Sequence, residues 1–121
     1  MNSFKELKVW QKAHELTILI YKISAKFPIE ERFALLSQIR RASVSVPSNI
    51  AEGFTRNSYK VALNFYDIAD GSLEEVRYQL LLSKDLAYIT EGEYKNALSL
   101  IEEVSKMLHS WIRTQNSLRT R

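Results

Sequence analysis

No cysteine occurs in the 121 residues. Disulfides, thiolate metal centres and cysteine nucleophiles are therefore excluded, and the chain suits a reducing compartment such as the cytoplasm. Glycine appears three times and proline twice, too little turn chemistry for an architecture of many short strands. The glycines are isolated, so no phosphate-cradling loop can be built from them. The longest apolar run, Ile18-Leu19-Ile20-Tyr21, falls far short of the ~20 residues that cross a bilayer. The N-terminal stretch MNSFKELKVWQK is charged and lacks the apolar centre of a secretory signal. His14 and His109 are the only histidines, and neither stands in a Glu-x-x-His pair. The di-metal site found in some helical bundles thus has no ligand set, and no cofactor is implied. Asp67, Asp70, Glu74 and Glu75 share helical spacing. A solvated acidic face, or a partner for Arg40 and Arg41, accounts for them better than a cation site. With no catalytic constellation, the expectation is a protein that is not an enzyme.

What the chain does contain is helical periodicity. Val9, Ala13, Leu16, Ile20, Ile23 and Phe27 recur at steps of 4 and 3, the pattern by which a helix buries one stripe. This predicts a first helix over residues 5–27, ended by Pro28. Leu36, Ile39, Ser43, Val46, Ile50 and Gly53 repeat in the same way and predict a second, starting near Glu30 and Glu31. Pro47 lies inside it. A break there is the alternative, but the seam stays in phase across it, so the helix is expected to continue with a bend. Tyr66, Ala69, Leu73, Val76, Leu80 and Ser83 mark a third helix from Tyr59 to Leu86, with Ser58 as its N-cap. Thr90 and Glu93 form a capping box before a fourth, whose seam runs from Tyr94 to Trp111. Beyond Arg113 the apolar pattern stops and fraying is expected. Four long helices with short connections predict an all-α, up-down-up-down four-helix bundle, one domain over residues 1–121. Gly71 and Ser72, with Ser43 and Gly53, suggest a close helix crossing, at which Gly71→Leu should harm far more than Gly71→Ala.

The net charge of +3 conceals segregation. Residues 1–31 carry +1, residues 32–66 carry +4, residues 67–103 carry −6 and residues 104–121 carry +4. Such asymmetry bears on partners. Two readings follow: opposite faces that meet within or between subunits, or a polyanion site. Arginine is suited to phosphate through its planar fork. Arg40, Arg41, Arg56, Lys60 and Arg113 are the candidate nucleic-acid contacts.

One stretch carries a resemblance. Leu36-Ser37-Gln38-Ile39-Arg40-Arg41-Ala42, then Asn49-Ile50-Ala51-Glu52-Gly53-Phe54 and Arg56, resembles the signature of four-helix-bundle proteins encoded in intervening sequences of bacterial 23S rRNA genes. Leu7-x-x-Trp10-Gln11-x-Ala13 and Ile68-Ala69-x-Gly71-Ser72-Leu73-x-Glu75 agree with it. The chain is also similar to the accessory protein of diversity-generating retroelements. That resemblance implies a homo-oligomer, most simply a pentameric ring, sequence-independent binding of RNA or DNA, and association with a reverse transcriptase. Surplus apolar side chains such as Trp10, Tyr21, Phe65 and Trp111 are compatible with a covered subunit surface. The alternative is a protein-interaction scaffold that does not itself touch nucleic acid. One departure stands out: the family's Leu-Gly-Tyr after the third helix is here Leu86-Ala87-Tyr88, which strains Ala87 if a left-handed cap is kept.

Overall fold

The computed structural model describes residues 2–120. It contains four α-helices: α1 Lys8–Ser24, α2 Leu35–Phe54, α3 Tyr59–Asp85 and α4 Glu91–Arg119. Among the described residues there is no strand. α1 packs on α2 and α4, and α3 packs on α2 and α4, while the diagonal pairs do not meet. That is the up-down-up-down bundle, and the seams explain it. Val9, Ala13, Leu16, Ile20, Ile23 and Phe27 are all buried, as are Tyr66, Ala69, Leu73, Val76, Leu80 and Ser83. Ala97, Ile101, Val104 and Leu108 of α4 close the same core. No helix is long and apolar enough to cross a membrane.

Boundaries differ from expectation at both ends of the first helix, at the start of the second and at the end of the fourth; α1 stops at Ser24 rather than Phe27. The first helix does not begin at residue 5. Phe4–Glu6 form a 3-10 turn capped by the Ser3 hydroxyl, and extended backbone at Leu7 turns that side chain into the core. The second helix does not begin at Glu30. Ile29–Glu31 are a separate 3-10 turn, and Ala34 leaves the helical region before α2 starts. Glu31 still serves the helix start, because its carboxylate accepts from the Leu35 N–H at 3.2 Å. The other carboxylate oxygen accepts from the Tyr88 hydroxyl at 2.8 Å. The C-terminus does not fray at Arg113. α4 runs to Arg119 because Gln115 turns back onto the bundle and is buried.

Pro47 interrupts nothing: α2 passes through it as one helix. A proline at this position removes the donor for the Ser43 carbonyl. The missing bond is replaced from α1, where the Thr17 hydroxyl lies 2.8 Å from the Ser43 oxygen. The same hydroxyl is 3.2 Å from the Ala13 carbonyl, and its single proton favours the shorter contact. Thr17→Val, which keeps the shape, should cost about 1–3 kcal/mol by leaving that carbonyl unpaired. Urea denaturation of Thr17→Val in wild-type and Pro47→Ala backgrounds tests this. The cost should shrink with alanine at 47, which restores an N–H; equal costs would refute the substitution of donors.

The small-residue crossing is half right. Ser72 meets Ser45 through a hydroxyl pair at 2.7 Å, and Gly53 is pressed against α3. Gly71 is exposed, with nothing within 4 Å of where a Cβ would stand. Within one subunit, the expected gap between Gly71→Leu and Gly71→Ala therefore has no steric basis. Ala87 does keep the left-handed cap, at φ 61°. The Ala87 N–H donates to Lys84 O and the Tyr88 N–H to Ser83 O, both at 2.9 Å, which is a Schellman closure built without glycine. The predicted Thr90–Glu93 capping box is present in full. Lys26 pairs with Glu93 across the bundle, and together with the Thr90 N–H it holds the Glu93 carboxyl below its usual range.

Candidate nucleic-acid interface

The five candidate cations do not form one patch. Arg40 sits near the C-terminus of α1. Its Nε donates to Ser24 Oγ at 3.0 Å and its Nη2 to the Tyr21 carbonyl at 3.2 Å. The guanidinium also lies 4.6 Å from the centre of the Tyr21 ring. A cation here satisfies carbonyls that the helix end leaves open and faces the negative end of its dipole. Arg41, one residue on, points elsewhere, as a 100° step requires. It lines a groove between α2 and α3 with Phe33, Ser45, Ser72, Glu75 and Gln79. Neither arginine is ion-paired to the acidic face of α3 among the described residues, contrary to one sequence expectation. Part of that face has other partners: Arg77 bridges Glu74 to Glu102 of α4, and His109 meets Asp70, while Lys12 of α1 joins Glu15 to Glu103 of α4.

Arg56, Lys60 and Arg113 stand at the same end of the bundle, where α2 stops, α3 starts and α4 overhangs, and of the three only Arg56 lines the pocket there. The fold adds residues that the sequence reading missed. Lys8 and Lys106 share a groove with Trp111 between the start of α1 and α4. Arg56 shares a pocket with Trp111 and Gln115. Within residues 2–8, 52–60 and 106–120, which make up this end, the cations are Lys5, Lys8, Arg56, Lys60, Lys106, Arg113 and Arg119. The carboxylates in those stretches are Glu6 and Glu52, and Asp70 of α3 joins them through its contact with His109 at 2.9 Å. Glu52 is bound to Arg56 at 2.6 Å, and Arg56 lies over the Phe65 ring. Lys5 and Lys8 carried no special signal, because their stretch is nearly neutral overall; antiparallel packing alone brings them to the basic end.

The pocket at this end has a volume of about 260 Å³. Its walls include Phe54, Tyr59, Tyr66 and Trp111, with Arg56 and Asn57 from the α2–α3 connection. The rings of Tyr66 and Trp111 meet edge to face at 6.1 Å. Burial pushes the Tyr66 hydroxyl pKa up, and the Trp111 indole N–H opposes part of that rise. The indole N–H is sealed from solvent and makes no hydrogen bond of normal geometry. Among the described residues no three His, Asp or Glu side chains gather as a metal site.

The surplus aromatics find partners within the chain. Trp10 stacks on His14 at 5.0 Å and meets Phe4 edge to face, while Tyr21 and Phe65 are covered by Arg40 and Arg56. Tyr21 remains 42% exposed, as expected, but the most exposed large apolar groups are others: Phe33 is 89% exposed, Ile29 74% and Tyr78 62%.

Comparison with known proteins agrees with this architecture. No functionally curated protein matches the chain. A crystal structure of a protein of unknown function from the S23 ribosomal protein family of Bacteroides thetaiotaomicron superposes with a TM-score of 0.77 at 29% identity. The match covers 86% of this chain and 97% of that one. The model of the 23S rRNA-intervening sequence protein family matches residues 5–110. With nearly the whole bundle matched in sequence and its architecture matched in space, the chain belongs to the 23S rRNA-intervening sequence protein family.

Proposed function

We propose that this protein is a non-enzymatic homo-oligomer that binds RNA or DNA electrostatically through the basic end of its bundle. The observation that supports this most is the convergence of Lys5, Lys8, Arg56, Lys60, Lys106 and Arg113 with so few carboxylates among them. Arg40 and Arg41 lie outside this end. Binding of this kind releases counterions, so affinity falls steeply with salt and sequence matters little. A ring of subunits, a pentamer by family resemblance, would repeat the basic end around one axis and add avidity. Filter binding over a salt series tests the reading. The triple variant Arg56→Gln, Lys60→Gln, Arg113→Gln should retain the fold by circular dichroism and flatten the log–log salt slope by roughly 3. No retention of nucleic acid by folded wild type at low salt, or an unchanged slope in the variant, would overturn it.

A second reading rests on Ile29, Phe33 and Tyr78. Three large side chains this exposed favour a protein contact, with a second copy or with another protein. Light scattering on the purified protein separates these: a multiple of the 14.1 kDa chain mass supports self-association, and a monomer supports a scaffold for a different partner.

A further inference from the structure

The pocket at the basic end has features that phosphate binding does not need. Four aromatic side chains line it, whereas backbone contacts call for cations alone. Gln115 also faces it. That residue is only 8% exposed, and its amide meets no partner within the fold among the described residues while keeping access to the pocket. The amide is open to the pocket's water, so a ligand seated there can pair with it. An aliphatic ligand would leave it unpaired, and a simple anion would leave the aromatic walls unused. At about 260 Å³ the space is below the range of drug-sized sites, but ample for one planar heterocycle.

We propose that this pocket takes a single unpaired nucleobase, stacked between Tyr59 and Trp111 over the buried Tyr66, with Gln115 on its edge and Arg56 on its phosphate. The assignment rests on the nucleic-acid reading above and deepens it from a charged surface to a preference for single strands. Aromatic platforms bind bases of any identity because every base has a π-face. A side-chain amide offers a donor and an acceptor together, which matches the mixed edge of a base. Arg56 sits at the α2–α3 connection beside Phe54, Asn57 and Tyr59. One of its terminal nitrogens is given to Glu52, which leaves further N–H donors for a phosphate oxygen. A base within a duplex is stacked and cannot enter without being extruded. The pocket therefore selects unpaired nucleotides, while the surrounding cations hold any polyanion.

The test compares three ligands of matched charge with the full chain: a single strand of about ten nucleotides, the same strand with abasic sites throughout, and a duplex of half that length. Anisotropy of a labelled strand gives affinities, and quenching of Trp111 in a Trp10→Phe background reports on the pocket. The normal single strand should bind roughly 10-fold tighter than the abasic strand and should alone quench Trp111. Gln115→Met and Tyr59→Ala should erase that preference while leaving abasic-strand binding unchanged. Equal affinity for normal and abasic strands would overturn the base pocket and leave the electrostatic reading standing. Absence of binding to all three would overturn both. Should Trp10→Phe fail to fold, the affinity ratio from anisotropy decides the matter without it.

Discussion

Gly53→Val should lower the melting temperature by roughly 10 °C, and Gly53→Ala by less, although both remove a poor helix former from α2. Gly53 is buried near the end of α2, where the Tyr66 ring lies flush against its backbone. A Cβ built there would stand 2.4 Å from Tyr66 Cε1 and 2.9 Å from Cδ1 and Cζ. No real carbon pair tolerates that approach, so the ring or the helix must shift. Tyr66 has little room to move, being 2% exposed and packed against Trp111. Overpacking of this kind costs about 1–3 kcal/mol and sometimes more. Alanine recovers up to about 1 kcal/mol in helix propensity; valine recovers less and adds two methyl groups to the clash. The steric origin has its own check. In a Tyr66→Leu background, Gly53→Ala should become neutral or mildly stabilising, giving a large coupling in the double-mutant cycle. If the two substitutions are additive, the ring is not what requires glycine.

Arg40→Met should destabilise the fold by about 2 kcal/mol and leave nucleic-acid binding by the folded protein unchanged. The guanidinium is half-buried, and it links α2 to the last turn of α1 through the Ser24 hydroxyl and the Tyr21 carbonyl. Ser24 is fully buried. Hydrogen bonds from a charged donor contribute about 1.5–3 kcal/mol, more than neutral ones. Its place over the Tyr21 ring adds a cation–π contribution of about 0.5–1 kcal/mol. Methionine keeps the apolar stem and removes both contributions. Lysine should recover only part of the loss, since its ammonium cannot reproduce the planar fork. Chemical denaturation gives the stability, and filter binding far below the unfolding transition gives the affinity. Unchanged stability would show that the contacts are incidental. Weakened binding by a fully folded variant would put Arg40 in the interface after all.

These two sites differ in how they could be read from the chain. All four core seams were legible because burial in a bundle follows a 3.6-residue period, and the period is local. Pro47 in mid-helix was legible for the same reason: the register on both sides of it is continuous. The capping box at Thr90 and Glu93 and the strain at Ala87 were legible because caps involve residues three or four apart. The family signature was legible as a string of residue types. What the sequence could not supply was anything fixed by distant partners. Leu7 and Ala34 break their helices because tertiary packing overrides a plausible local pattern. Gly53 and Gly71 look alike in the chain, yet one faces the Tyr66 ring and the other faces solvent, a difference set by helix rotation. Thr17 replaces the donor lost at Pro47 from 30 residues away. Arg40 and Arg41 are neighbours whose side chains go to opposite tasks, one holding the end of α1 and the other lining the α2–α3 groove. Lys8, Arg56, Lys106 and Arg113 are spread over the chain, and they form one basic end only because antiparallel helices return to the same place. The sequence determined which residues are apolar, which are charged and which helices they make. Tertiary structure decided which charges meet, because electrostatic fields depend on distance in space rather than separation along the chain.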